Sequence, residues 1–167
     1  SFTQINSTVA AALNAHVVAR ARFHDPKSVV DAYAGAGDTA VPLAEAGGRV
    51  IAIELDREAS AVCAARLPRG SRAETGRVED LLKGALPADV VILNPPRVGV
   101  HTRVPSLLQR LTRPPRAVIY VSCDPATLAR DLARMPRYRV TSVVAFDMFP
   151  QTAHVETVCE LIPEGAA

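Results

Sequence analysis

Strand-like and helix-like patterns of apolar residues alternate along nearly the whole chain of 167 residues. Short apolar runs rich in β-branched residues predict strands, and apolar residues recurring every three or four positions predict helices. The predicted strands are 28–33, 49–54, 72–75, 89–93, 117–121, 139–146 and 154–161. The predicted helices are 9–22, 38–46, 57–66, 79–83, 104–111 and 125–133.

This alternation implies a parallel sheet with helices on both faces. The last two predicted strands are too close in sequence for a helical crossover, so we expect them to pair antiparallel. The predicted fold is α/β: a doubly wound, Rossmann-like, mostly parallel seven-stranded sheet that ends in an antiparallel hairpin. That order of elements resembles the class I methyltransferase variant of the doubly wound fold.

Composition fits one globular domain, since 49% of the residues are hydrophobic and 22% are charged. The net charge of +2 gives no strong indication of nucleic-acid binding, although arginines cluster in 97–116 and in 130–139. Three cysteines without metal-ligand spacing favour a reducing compartment, and we expect a cytoplasmic protein without metal or membrane span. The first residue is Ser1, and we expect a piece of a longer chain.

A glycine-containing loop between the first strand and its helix predicts a nucleotide-type site. Gly35 and Gly37 allow a sharp turn and a close approach of backbone to a ligand. Glu54 ends the next strand, where its carboxylate could accept hydrogen bonds from a ribose. The spacing also satisfies the dinucleotide fingerprint, so the loop alone leaves NAD and S-adenosylmethionine open. Asp31, placed to face a cationic ligand, and Asp38, placed to repel a pyrophosphate, favour S-adenosylmethionine.

Cys123 follows a buried strand pattern and directly precedes a predicted helix start. Asp124 suits an N-cap, and Pro125 suits the first helical position. The positive end of the helix is expected to favour the thiolate of Cys123 over the thiol, which would make it reactive. The alternative is a small apolar residue packed at a strand end.

Two further loops hold candidate polar groups. Asn94 precedes two prolines, which make a stiff loop and would direct the amide toward the ligand edge of the sheet. An ordinary turn explains this loop equally well. Arg97 occupies the place of the aromatic residue in some amino-group methyltransferases, which argues against methylation of an amine. His154 and Glu156 are candidate proton carriers, although a solvent-facing Glu156 is the simpler interpretation.

Together these segments resemble the uracil-C5 RNA methyltransferases, which make 5-methyluridine in tRNA and 23S ribosomal RNA. The most specific parts are residues 121–131 and 147–156. The resemblance implies that Cys123 is the nucleophile, that Glu156 is the general base, and that RNA is the substrate. It also implies S-adenosyl-L-methionine as cofactor. The resemblance places the cofactor-binding positions at Gln4, Tyr33, Asp38, Glu54 and Asn94, together with the loop glycines Gly35 and Gly37.

The chain departs from the family pattern at three positions. Asn94 stands where the family usually has Asp, and Arg77 stands where an Asn or Asp often approaches the adenine. Asp124 replaces an Asn, and its charge would raise the pKa of the thiol unless the carboxylate serves as the helix cap. Family members also have N-terminal RNA-binding parts, so we expect residues 1–167 to be a single catalytic domain.

Other functions stay open at this point. The same fold could methylate C5 of cytosine, although the second cysteine in a Pro-Cys context, usual in such RNA enzymes, is absent. A domain with impaired cofactor binding could instead bind RNA or protein without catalysis. An NAD dehydrogenase is disfavoured by Asp38.

Overall fold

The computed structural model describes residues 7–148, 151–152 and 154–166. Every predicted element is present, and no boundary moves by more than two residues. The strands are β1 (Ser28–Ala32), β2 (Arg49–Glu54), β3 (Arg72–Thr75), β4 (Val90–Leu93), β5 (Ala117–Ser122), β6 (Tyr138–Phe146) and β7 (Glu156–Pro163). The helices are α1 (Ser7–Phe23), α2 (Ala40–Glu45), α3 (Arg57–Arg66), α4 (Val78–Ala85), α5 (Arg103–Arg110) and α6 (Pro125–Ala133).

The seven strands form one sheet in the order β3-β2-β1-β4-β5-β7-β6. β1 to β5 run parallel, and β7 is inserted antiparallel between β5 and β6. The predicted doubly wound α/β fold is therefore confirmed. Because the strand order reverses between β1 and β4, a crevice is expected at the carboxyl ends of these two strands.

Helices cover both faces of the sheet, and each face has its own apolar core. Leu82 of α4, Leu108 of α5 and Leu128 of α6 pack on one face. Val17 of α1 and Leu43 of α2 belong to the core of the other face. Every residue of β4 and β5 is buried, which explains why both strands have continuous apolar runs instead of alternation.

A buried carboxylate connects α1 to β7. Glu160 accepts hydrogen bonds from Arg20 Nε at 2.6 Å and Nη2 at 3.1 Å, and its Oε1 lies 2.7 Å from His24 Nε2. These partners hold the pKa of Glu160 below its usual value despite the burial. None of the described helices is long and apolar enough to cross a bilayer.

Candidate active site

The loop after β1 turns back sharply and is held by the end of β2. Tyr33, Gly35 and Gly37 have φ values of 61°, 57° and 93°, in the left-handed region. The amide of Gly35 donates to Glu54 Oε2 at 2.7 Å, and the amide of Asp56 donates to Oε1 at 2.8 Å. The Glu54 carboxylate is thereby fixed, and each oxygen keeps a lone pair for a further donor.

Gly37 has a packing role within this loop. A Cβ at this position would lie 2.8 Å from Cys63 Sγ and 3.2 Å from Val41 Cγ2. Gly37 is buried and does not line the cavity described below. It therefore allows the loop to lie close to α3.

Asp31 lies beneath the loop and is only 1% exposed. Thr39 Oγ1 donates to its carboxylate at 2.5 Å. Burial raises the pKa of Asp31 to about 7, and the nearby Glu54 also raises it. The expectation that this carboxylate faces a ligand is wrong, because the side chain is enclosed within the protein.

A cavity of about 630 Å³ opens at the carboxyl ends of β1, β2 and β4. The predicted residues Tyr33, Glu54 and Asn94 line it together. Two apolar residues that line it, Leu55 and Val98, are 63% and 74% exposed. Side chains exposed in this way could cover the faces of a flat ligand. The other lining residues are Gly76, Arg77, Val78, Glu79, Pro96, Gly99, Val100 and His101.

Three predicted cofactor residues, Gly35, Gly37 and Asp38, do not line this cavity. The side chain of Asp38 is 66% exposed and forms an ion pair with Arg66 at 3.0 Å. It lines a separate surface depression between α1 and α2. Gln4 lies outside the described residues, so its role stays a prediction.

Cys123 lies between the end of β5 and the start of α6, as the sequence pattern predicts. Asp124 is the N-cap of α6 and accepts hydrogen bonds from the amides of Ala126 at 3.0 Å and Thr127 at 3.1 Å. Arg97 Nε is 3.5 Å from the other carboxylate oxygen of Asp124. The amide of Thr127, followed by the amide of Ala126 and by Arg97, holds the pKa of Asp124 below its usual value.

Glu156 is brought to Cys123 by the antiparallel pairing of β5 with β7. The last pair in that register is Ser122 with Thr157, so the next residues in each direction are Cys123 and Glu156. Burial and the charge of Glu156 raise the pKa of the Cys123 thiol, Arg97 lowers it, and Asp124 raises it least. The expected net lowering of this pKa is therefore wrong, because burial and the charge of Glu156 outweigh the lowering by the local backbone. Burial also raises the pKa of Glu156.

Of the three cysteines, Cys123 is the partly exposed one, whereas Cys63 and Cys159 are buried. The other candidate proton carrier, His154, is exposed and precedes β7 by two residues. Within the described parts of the chain, no group of three or more His, Cys, Asp or Glu side chains is arranged to hold a metal ion.

Sequence reasoning missed Asp131, which has no exposed surface. It lies on the buried face of α6 and contacts the loop that forms one wall of the cavity. The available signal was its position three residues after Leu128, which places an acidic residue on the apolar face of a predicted helix.

The chain matches the family described as tRNA (Uracil-5-)-methyltransferase over residues 68–162. It is 43% identical, over 80% of its length, to an uncharacterized RNA methyltransferase of Prochlorococcus marinus, of which it covers 33%. It is 37% identical, over 99% of its length, to a 23S rRNA (uracil(747)-C(5))-methyltransferase of Shewanella amazonensis, of which it covers 44%. The chain thus spans less than half the length of these curated relatives.

Its fold is also similar to that of a crystal structure, the tRNA (uracil-54, C5)-methyltransferase of Pyrococcus abyssi in complex with S-adenosyl-L-homocysteine. The TM-score is 0.78 at 29% sequence identity, and the match covers 90% of this chain and 38% of the other. The class I methyltransferase fold inferred from the order of elements is confirmed.

Proposed function

Because this chain belongs to the tRNA (uracil-5-)-methyltransferase family, we propose that it transfers a methyl group from S-adenosylmethionine to C5 of a uridine in tRNA or 23S rRNA. The main structural support is the position of Cys123. It follows the end of β5, next to the strand that leads into the cavity, and the register of β5 with β7 places it at the same end of the sheet as Glu156.

The cavity offers side chains that could bind the ribose and the adenine of S-adenosylmethionine. The fixed carboxylate of Glu54 can accept hydrogen bonds from the two ribose hydroxyls. The exposed side chains of Leu55 and Val98 can cover the faces of an adenine ring. Tyr33 follows β1 and Asn94 follows β4, and both line the cavity where these two strands end. When bound, this cofactor supplies an electrophilic methyl group on a sulfonium.

Cys123 supplies the nucleophile that uracil chemistry needs, since C5 of uracil is weakly nucleophilic by itself. Addition of the Cys123 thiolate to C6 forms an S–C6 bond and shifts the electron pair of the C5–C6 double bond toward C5 and O4. C5 would then form a bond to the methyl group, while the methyl–sulfur bond of the sulfonium would break and leave its electron pair on sulfur. This attack requires the thiolate, and the positive charge of Arg97 favours that form.

Glu156 supplies the base for the second half of the reaction. After methylation, C5 holds both the new methyl group and its original proton. Glu156 removes this proton, the electron pair re-forms the C5–C6 double bond, and the S–C6 bond breaks to release the thiolate. The raised pKa of Glu156 suits this role, because a general base works best with a pKa near the working pH.

The substrate must present an unstacked uridine, because a thiol cannot reach C6 inside a base stack. This chain spans less than half of its curated relatives, so we propose that it is the catalytic domain of an enzyme whose other parts hold the RNA. The buried or partly buried free cysteines fit a reducing compartment such as the cytoplasm.

A methyl-transfer assay tests this proposal. The protein is incubated with S-adenosylmethionine and unmodified transcripts of tRNA and 23S rRNA, and the nucleosides are analysed by mass spectrometry. We expect 5-methyluridine in one of the two RNAs. A methyl group found on cytidine or on an exocyclic amine would instead assign another base as the substrate.

A further inference from the structure

We propose that Asp131 is a positioning residue that connects one wall of the cofactor cavity to the nucleophile. The inference rests on the proposed function and adds a residue that touches neither the cofactor nor the target base. Asp131 lies on α6, which begins directly after Cys123, and it is completely buried. Its carboxylate has partners on three different segments of the chain.

The first segment is the loop between β4 and α5. The amide of Val100 donates to Asp131 Oδ2 at 3.0 Å. Arg130 donates to Asp131 Oδ1 from Nε at 3.1 Å and from Nη2 at 3.0 Å, and its Nη2 also donates to the Val98 carbonyl at 2.6 Å. Val98 and Val100 line the cavity, so Asp131 and its neighbour hold the backbone of that wall at two points.

The packing of Gly99 shows how closely this loop approaches α6. A Cβ on Gly99 would lie 2.3 Å from Asp131 Oδ2 and 2.5 Å from Thr127 Cγ2. Gly99 also has a φ of +82°, which other residues rarely adopt. The contact therefore requires glycine, both for space and for backbone conformation.

Two further partners lie on β5, which leads to Cys123, and at the C-cap of α6. The hydroxyl of Tyr120 donates to Asp131 Oδ2 at 2.6 Å, and Tyr120 lies on β5 three residues before Cys123. Arg134, after the end of α6, approaches Oδ1 at 3.4 Å without contacting the loop. One oxygen of Asp131 thus joins the cavity wall to the strand that positions Cys123. A ligand that contacts this wall should therefore change the position of the Cys123 thiol and its rate of alkylation.

Two measurements on the same protein test this coupling. Isothermal calorimetry with S-adenosylhomocysteine measures binding in the cavity. The rate of alkylation of Cys123 by iodoacetamide measures the reactivity of the thiol. In the unmodified protein, saturating S-adenosylhomocysteine should change the alkylation rate. Asp131→Asn should weaken binding about tenfold, the loss expected for one hydrogen bond to a charged group. It should also make the alkylation rate insensitive to the ligand.

The two arginines provide a matched pair that does not alter the buried carboxylate. Arg130 and Arg134 are both partly exposed, and each pairs with Asp131 Oδ1. Only Arg130 also contacts the Val98 carbonyl. Arg130→Ala should therefore weaken binding by about threefold to tenfold, and Arg134→Ala should leave it unchanged. This pair also gives a decision if Asp131→Asn does not fold.

The outcomes separate this inference from the proposed function. If the unmodified protein does not bind S-adenosylhomocysteine, the proposed function fails and this inference fails with it. Suppose instead that the unmodified protein binds S-adenosylhomocysteine. The positioning role is then overturned, and the proposed function stands, if Asp131→Asn binds the ligand equally well. The same conclusion follows if Arg130→Ala and Arg134→Ala bind it with equal affinity. An alkylation rate that never responds to the ligand would likewise overturn the coupling.

Discussion

Cys123 and Glu156 follow directly on the last register pair of β5 and β7, where burial and then the charge of Glu156 raise the pKa of the thiol. The two residues come from distant parts of the sequence, and the antiparallel pairing of β5 with β7 brings them to the same end of the sheet. Burial raises the pKa of both groups, and the charge of Glu156 raises the pKa of Cys123 further, so both are shifted toward their protonated forms.

Glu156→Gln should make Cys123 more reactive toward iodoacetamide at pH 7.5. The substitution removes the negative charge that opposes the thiolate, and a decrease of one unit in the thiol pKa raises the thiolate fraction up to about tenfold. Alkylation is followed by mass spectrometry of the Cys123 peptide. Glu164→Gln, at an exposed position beyond β7, should leave the rate unchanged. A slower reaction in Glu156→Gln would contradict the assigned proximity.

Arg97→Gln should have the opposite effect on the same reaction. Its guanidinium lowers the pKa of Cys123 and pairs with Asp124 at 3.5 Å. Loss of the positive charge raises the thiol pKa. Because this position is exposed, the effect is modest, and alkylation at pH 7.5 should slow about threefold. Arg113→Gln, on the loop before β5 at the other end of the sheet, is the control. Equal rates in the two variants would argue against an electrostatic role for Arg97.

Asp31 should make the stability of the protein decrease as the pH rises toward neutrality. Its pKa is about 7 in the folded protein and 3.8 as the ordinary value, so the folded state binds the proton more tightly. The stabilisation from that proton is complete below the ordinary value and is lost as the pH rises through about 7. Thermal unfolding between pH 5 and pH 8 should show this loss. Asp31→Asn should flatten the profile, and an unchanged profile would refute the assignment.

Glu160→Gln should destabilise the protein at neutral pH, by about 3 kcal/mol, because it leaves Arg20 and His24 without their buried partner. The pKa of Glu160 is lowered in the folded state. Its stabilisation is therefore present above its ordinary pKa of 4.5 and is lost as the pH falls below that value. Urea unfolding at pH 7 and at pH 4 should show a large difference between variant and parent at pH 7 and a smaller one at pH 4.

Local sequence signals were sufficient for the elements and for most of the loops at the site. The buried strand before Cys123, the Asp124 cap and the Pro125 start form a local unit, so the structure reproduces them. Gly35 and Glu54 were also predictable, because glycine spacing and a carboxylate at a strand end are properties of a single βαβ unit.

Properties that depend on contacts between distant segments could not be predicted in this way. Burial and the charge of Glu156 on the neighbouring strand raise the pKa of Cys123, so the local helix start indicated the wrong net direction. Asp38 was expected to begin the helix but lies two residues before α2, and Arg66 of α3 pairs with its carboxylate outside the cavity. Asp131 has partners on β5 and on the loop before α5, which no helical pattern of α6 reveals.

The most direct test of the central claim uses tRNA and 23S rRNA transcripts that contain 5-fluorouridine, together with S-adenosylmethionine. Fluorine at C5 cannot be removed as a proton, so the S–C6 bond should persist after methyl transfer. Peptide mass spectrometry should then find a methylated fluorouridine adduct on Cys123, and Cys123→Ala should form none. An adduct on another residue, or 5-methyluridine formed from ordinary RNA by Cys123→Ala, would contradict the account.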